Sequence, residues 1–251
     1  MRAWLRAALA ANGLPAGDCS KLVLAVGELC NNAIKHAYAG ARGQPIRVSV
    51  QAEADRLVIE VEDFGLPFDP ALYVEPDFDT TPDHGLGLYL VKRVADRFSF
   101  DVARAAGTRW TLVKNRAEVA GAARDPAAHR AAILRERGEL MDIEVSRSGQ
   151  VTLVIPKGDL DMAVADQLKQ TLTEMIDKGQ AKIVLDLGAV PYVDSSGLGA
   201  LVAAMKRARG SGGDIKLCGL QPDVRSIFDM TRLIKVMDVH PTRAEAVASW
   251  G

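Results

Sequence analysis

The sequence predicts an α/β protein made of two α/β domains in tandem. Three observations carry that expectation. Strand-like alternation and helix-like periodicity are interleaved over residues 1–116 and again over residues 141–251. Between them, residues 117–140 (AEVAGAARDPAAHRAAILRERGEL) are dominated by Ala, Arg and Glu and read as a helical linker. The length of 251 residues also suits two small domains.

The first part opens with a helix within MRAWLRAALAANG, and Pro15-Ala16-Gly17-Asp18 breaks it. Asp18 or Ser20 is the expected cap of the next helix, LVLAVGELCNNAIKHAY. Leu22, Val26, Leu29, Ala33 and Ala37 fall on one face of it. Ile46-Arg47-Val48-Ser49-Val50 and Leu57 to Asp63 alternate as the strands of a hairpin. A Pro-, Asp- and Gly-rich loop runs from Gly65 to His84, and a helix is expected from Leu86 to about Arg97. Strands near Phe98–Arg104 and Thr108–Val113 close the domain.

In the linker, Asp125 can cap a helix with Pro126 as its first residue, running to Leu140. The last part opens with a hairpin, Ile143-Glu144-Val145 and Val151–Pro156, around Ser148-Gly149. A helix from Ala163 to Lys178, a buried strand Lys182–Leu187 and a helix from Asp194 or Ser195 to Arg209 follow. The strand Ile215–Cys218 and helices from Asp223 and Arg243 complete it.

Composition excludes several function classes. Lys plus Arg is 31 and Asp plus Glu 32, a net charge of -1, so nothing points to nucleic acid or a membrane surface. Charges interrupt every apolar stretch too early for a membrane span. The start, MRAWLRAALAANG, has a short apolar core and leads into a turn, so it reads as a mature helix and not as an export signal. Three scattered cysteines (Cys19, Cys30, Cys218) without a CxxC suit a reducing, cytoplasmic setting and argue against a disulfide framework or a zinc site.

Four short pieces carry the chemistry of the first part. Glu28 and Asn32 sit four apart on one helix face. A carboxylate there can serve as a general base and an amide oxygen can ligate Mg2+. Asp63-Phe64-Gly65 ends an apolar strand, where a carboxylate can accept a purine amine. His84-Gly85-Leu86-Gly87-Leu88 opens a helix whose N–H groups can meet phosphate. Gly107-Thr108 offers a hydroxyl at a strand start. Singly, each has a plainer reading as a polar stripe, a turn or a cap.

In order and spacing, the four pieces resemble the N, G1, G2 and G3 boxes of the GHKL (Bergerat, histidine-kinase-like) ATPases. ELCNNAIKHAY, VEDFGLPFDP, HGLGLYLVKRVAD and GTRWTLV look most like the bacterial anti-sigma-factor serine kinases, over residues 20 to 113. The resemblance implies a two-layer α/β sandwich that binds ATP and Mg2+. Glu28 would be the general base, Asn32 the metal ligand and Asp63 the adenine reader. Gly65, Gly85, Leu86, Gly87 and Thr108 would line the nucleotide, and His36, a turn past Asn32, would reach phosphate or ribose. The family usually has a strand before the first helix and a Gly where His84 stands; this sequence departs at both points.

In the last part, a buried strand runs through Asp186 to Asp194-Ser195-Ser196-Gly197 at a helix start. Alone, that is a good N-cap. With GDLDMAVADQLKQTL and VRSIFDMTRLIKVMDV, however, residues 142 to about 248 resemble STAS domains of the anti-anti-sigma factors. The resemblance implies that Ser195 is a regulatory phosphoacceptor, with Ser196 as the alternative. A phosphate would add about -1.5 to -2 charge beside Asp194, Asp159 and Asp161 and weaken docking of a partner.

The expected function is a partner-switching regulator of transcription. A serine kinase domain is fused to its own STAS substrate and controls binding of a sigma factor or of an anti-sigma or anti-anti-sigma protein. Such kinases often dimerise, so a homodimer is the expected oligomer. The alternative is a non-catalytic nucleotide-binding scaffold. A two-component histidine kinase using His129 is disfavoured, because one short helix surrounds that residue and a phosphoacceptor hairpin needs two long ones.

Overall fold

The computed structural model describes residues 1–41, 43–76, 85–102, 107–116 and 141–251. The expected linker helix from Pro126 to Leu140, His129 and His84 lie outside the described residues. The chain divides into two compact units, one of residues 1–75 and 87–137, the other of residues 76–86 and 138–251.

In the first unit, helices α1 (Arg2–Ala11) and α2 (Ala16–Asn32) pack on each other, and α2 lies on strand β2. The sheet has four antiparallel strands in the order β1-β2-β4-β3: β1 (Ile46–Ala52), β2 (Arg56–Asp63), β3 (Arg97–Asp101) and β4 (Arg109–Asn115). Alternation decides the buried face: Val48, Leu57, Ile59, Val61, Trp110 and Leu112 are all buried and in register. Helix α3 (Leu86–Val94) leads into β3 and buries Leu90 and Val91.

Three details differ from expectation. Helix α3 ends at Val94, and Arg97, expected in that helix, opens β3. Neither Asp18 nor Ser20 caps α2: the N-cap is Pro15, with no side-chain cap bond, and its carbonyl accepts from the N–H groups of Asp18 and Cys19. The fixed φ of proline sets the chain at the start of the helix, which leaves Asp18 inside the first turn. The helix also does not run on as α-helix past Asn32. Residues Ala33–Ala37 form a π-helical turn, with Tyr38 N–H donating to Ala33 O at 2.9 Å.

Arg116 fastens this unit at its C-terminal end. Its guanidinium donates to Asn12 O (2.8 Å) after α1 and to Glu53 O (2.6 Å) in the β1–β2 hairpin, and its N–H donates to Asp55 O.

The second unit has a five-stranded sheet in the order β5-β6-β7-β8-β9. The strands are β5 (Asp142–Ser148), β6 (Val151–Lys157), β7 (Lys182–Asp186), β8 (Asp214–Cys218) and β9 (Asp238–His240). The β5–β6 pair is the expected hairpin, and Gly149, at φ 61°, supplies its turn. The remaining pairs are parallel and are joined by helices α4 (Ala165–Asp177), α5 (Ser195–Gly210) and α6 (Pro222–Met230). Helix α5 packs on β8 and α4 on α5. Val151, Leu153, Val184 and Cys218 form a cluster with Ala246 of α7 (Arg243–Ala248), so the sheet is covered on both faces.

Arg243 holds α7 in place. Its Nε and Nη2 donate to Asp186 Oδ2 at 2.8 and 2.6 Å, and Gly188 N–H donates to Asp186 Oδ1 at 2.9 Å. Arg243→Ala is expected to cost about 1–2 kcal/mol in urea denaturation, because the guanidinium is half exposed while the carboxylate is not. Strand β9 and the 3-10 turn Leu233–Lys235 were not predicted by periodicity.

Candidate functional site

In the first unit, the end of β2, the start of β4 and the end of α2 meet. Asp63 is 3% exposed. Its N–H donates to Thr108 O (3.0 Å), and its Oδ1 accepts from the N–H groups of Gly65 (3.2 Å) and Thr108 (3.3 Å). Burial nonetheless pushes the Asp63 pKa above the usual carboxylate range, and these bonds and the Glu62 charge modulate that rise.

Thr108 is also buried, and its Oγ1 accepts from Phe68 N–H at 2.9 Å. Gly107 N–H donates to Gly65 O at 2.8 Å, which puts the two glycines back to back. Gly65 was expected to line the nucleotide. Its missing side chain also makes room for backbone. A Cβ there would lie 2.3 Å from Ala37 O, and Leu66 N–H donates to that carbonyl. Tyr38 completes the junction, as its hydroxyl accepts from Phe64 N–H (2.8 Å) and donates to Pro45 O (2.6 Å).

Glu28 is 1% exposed on α2, and Asn32, one turn on, is half-buried. The turn that carries His36 is π-helical, so the expected α-helical offset from Asn32 does not apply, and His36 is exposed. Gly85, at φ 73°, precedes α3, and half-buried Gly87 lies in its first turn. The Leu86 side chain is buried, so only its backbone is available to a ligand. Direct bonds therefore join Asp63, Gly65, Gly107 and Thr108, and the π-helical turn that follows α2, with Tyr38, docks beside them.

In the second unit, Asp194 is the N-cap of α5 and is 1% exposed. Its Oδ1 accepts from the N–H groups of Ser196 (2.9 Å) and Gly197 (3.0 Å), and its Oδ2 from Met162 N–H (2.9 Å). The Leu160 segment is thus pinned to the helix start, with Leu160 N–H donating to Tyr192 O and Asp194 N–H to Leu160 O. Gly197 permits this approach, since a Cβ there would lie 2.5 Å from Leu160 O. Ser195 and Ser196 are both half-exposed at the first two helical positions.

The family model for the histidine kinase-like ATPase domain matches residues 1–114, and that for the STAS domain matches residues 142–246. The chain is 30% identical over 110 residues to BtrV of Bordetella bronchiseptica, named as a candidate anti-sigma factor antagonist. That match covers 44% of this chain and 95% of BtrV. It is 31% identical over 108 residues to the anti-sigma F factor antagonist of Paenibacillus polymyxa, covering 43% of this chain and 92% of that one. The chain belongs to the STAS anti-sigma factor antagonist family, and a histidine kinase-like ATPase domain precedes its STAS domain. A solved candidate antagonist from Thermotoga maritima is 26% identical, with a TM-score of 0.42, over 43% of this chain and 92% of that one.

The STAS domain also has an open cavity of about 410 Å³, lined by Arg209, Arg225, Lys235, Asp238 and apolar neighbours. It lies at the last turn of α5, at the opposite end of that helix from Ser195, and includes none of the expected site residues. All three thiols are buried, and burial raises Cys30 to about 12 and Cys218 to about 11. Among the described residues, no helix is long and apolar enough to cross a membrane, and no cluster of three His, Cys, Asp or Glu is suited to a metal ion.

Proposed function

We propose that the ATPase domain binds ATP with Mg2+ and phosphorylates Ser195 of a STAS domain, of the same chain or of a second copy, to switch the binding of a regulatory partner. The observation that carries this reading is the join within one chain. A domain with a buried aspartate and a buried threonine at one strand junction is fused to a STAS domain that offers a half-exposed serine at a helix start.

The residues present fit a nucleotide. The Asp63 carboxylate would take the adenine amine, with Thr108 Oγ1 beside it. The backbone at Gly85, Leu86 and Gly87 would face the phosphates, and the Asn32 amide oxygen would hold Mg2+. ATP supplies the γ-phosphoryl group. Glu28 would take the Ser195 hydroxyl proton as the serine oxygen–phosphorus bond forms and the bond to the β-phosphate oxygen breaks. Catalysis is then mainly positioning and charge neutralisation.

Phosphate on Ser195 would sit where the helix dipole favours it but next to the acidic side chains of Asp159 and Asp161. A partner over that face would meet unmatched charge, so modification would release it. The relatives' names make an anti-sigma factor the expected class of partner.

The test is phosphate transfer from γ-labelled Mg-ATP to the full chain, with the site mapped by mass spectrometry. Wild type and Ser196→Ala are expected to label, Ser195→Ala to lose the label, and Glu28→Gln to slow labelling by 10²-fold or more. Equal labelling of all four defeats the reading. The burial of Glu28 favours one second reading, a nucleotide-binding scaffold without turnover. Tight ATP binding with no ADP release selects it.

A further inference from the structure

We infer that the open cavity at the last turn of α5 is an anion site, which takes the di- or triphosphate group of a small ligand between Arg209, Arg225 and Lys235. The site belongs to the STAS domain and includes neither Ser195 nor Ser196. It is independent of the nucleotide reading of the first domain.

Three elements bring the cations to one concavity. Arg209 lies in the last turn of α5, Arg225 in α6, and Lys235 at the end of the 3-10 turn before β9. That turn is anchored by packing: Leu233 and Met237 are buried, and Met237 N–H donates to Leu233 O at 2.9 Å.

Pairing decides which charges are left over. Arg209 is committed and oriented. Its Nε lies 3.0 Å from each oxygen of Asp214, and its Nη2 donates to Val236 O at 2.8 Å. Its Nη1 group stays available, and the guanidinium plane is already fixed by these bonds. Asp238, the carboxylate on the cavity lining, is also engaged. Lys216 Nζ is 3.3 Å from its Oδ2, and His240 Nε2 is 3.2 Å from its Oδ1. Among the described residues, no carboxylate pairs with Arg225 or Lys235. Once the pairs Arg209–Asp214 and Lys216–Asp238 cancel, two positive charges remain on the lining of a single cavity.

The carbonyl end of α5 would oppose an anion if it were bare. It is capped by its own chain. Ser211 N–H donates to Arg207 O (3.1 Å) and Ala208 O (3.0 Å), and Gly213 N–H donates to Ala208 O (2.9 Å).

The charge pattern selects the ligand. A di- or triphosphate carries several negative charges within a few ångströms, and guanidinium groups bind its oxygens in pairs. Cations from three elements around one hollow match that density. An acidic peptide spreads its charges along an extended chain instead. The cavity, of about 410 Å³, has the size of a small-molecule cleft. Ile234 and Val236, half-buried on its lining, offer apolar surface to the organic part of such a ligand.

The experiment follows backbone amide and arginine Nε–H resonances of the full, nitrogen-15-labelled chain during titration with inorganic pyrophosphate, and separately with ADP. Local resonances separate this cavity from any phosphate site in the first domain. Resonances of residues 234–239 and of Arg209 are expected to shift and saturate. An Arg225→Gln, Lys235→Gln double variant leaves the Arg209 bonds intact and is expected to weaken this binding tenfold or more. Lys169→Gln, which removes an exposed cation on α4 outside the lining, is expected to change nothing. Tighter binding of ADP than of pyrophosphate at these resonances assigns the site to a nucleotide, and equal binding assigns it to a free oligophosphate. No shift at residues 234–239 with millimolar pyrophosphate or ADP overturns the inference, as does wild-type affinity in the double variant. Shifts there with a hexaglutamate peptide and with neither phosphate ligand overturn it in favour of a protein interface.

Discussion

Gly107→Ala is expected to destabilise the ATPase domain by about 3 kcal/mol, read as a drop on the order of 10 °C in its thermal transition. Two penalties add. Gly107 has φ 79°, where an L side chain is strained, and a Cβ would lie 2.0 Å from Asp63 O and 2.8 Å from Phe64 Cα. Backbone cannot step aside as a side-chain tip can. Gly43 is the control that separates the penalties: it has a similar φ of 74° but nothing within 4 Å of an added Cβ. Gly43→Ala should therefore show the backbone cost alone, about 1 kcal/mol. Equal losses at both sites would mean that the Asp63 junction yields, and the site would be softer than its hydrogen bonds indicate.

Asp194→Ala is expected to cost the STAS domain about 2–4 kcal/mol in denaturant unfolding. Three backbone N–H groups, of Ser196, Gly197 and Met162, lose their acceptor together in a region that water barely reaches. An ordinary N-cap loss is nearer 1 kcal/mol, so the excess measures the clamp on Met162. Asp194→Asn keeps an acceptor oxygen and should recover part of the loss. Both variants should also lower phosphate incorporation at Ser195 if the helix start must be ordered to receive it. Unchanged stability in Asp194→Ala would show that the carboxylate is dispensable.

Much of this molecule is legible in its sequence where burial enforces a period. The β1–β2 hairpin, the β5–β6 hairpin and the helix after Asp194 follow from alternation, turn glycine and cap chemistry, each strong within a few residues. The failures share a cause, since each depends on a neighbour distant in the chain. Strand β9 is only Asp-Val-His, too short to alternate, and exists because β8 offers it an edge. The π turn after Asn32 keeps a helical composition, and only docking of Ala37 and Tyr38 against residues 64–66 shows why it widens. At the candidate site, Asp63 and Thr108 were readable from position at strand ends. Gly65 carries a constraint that the sequence does not display, since an added Cβ there would meet the Ala37 carbonyl.

Arg116 has a mechanical consequence. One guanidinium rivets the segment after α1 to the first hairpin, so the end of β4 is tied to both. A tug arriving there loads helix and sheet at once instead of peeling off the last strand. Cutting that rivet with Arg116→Ala would let the terminal strand fray before the rest of the domain gives way.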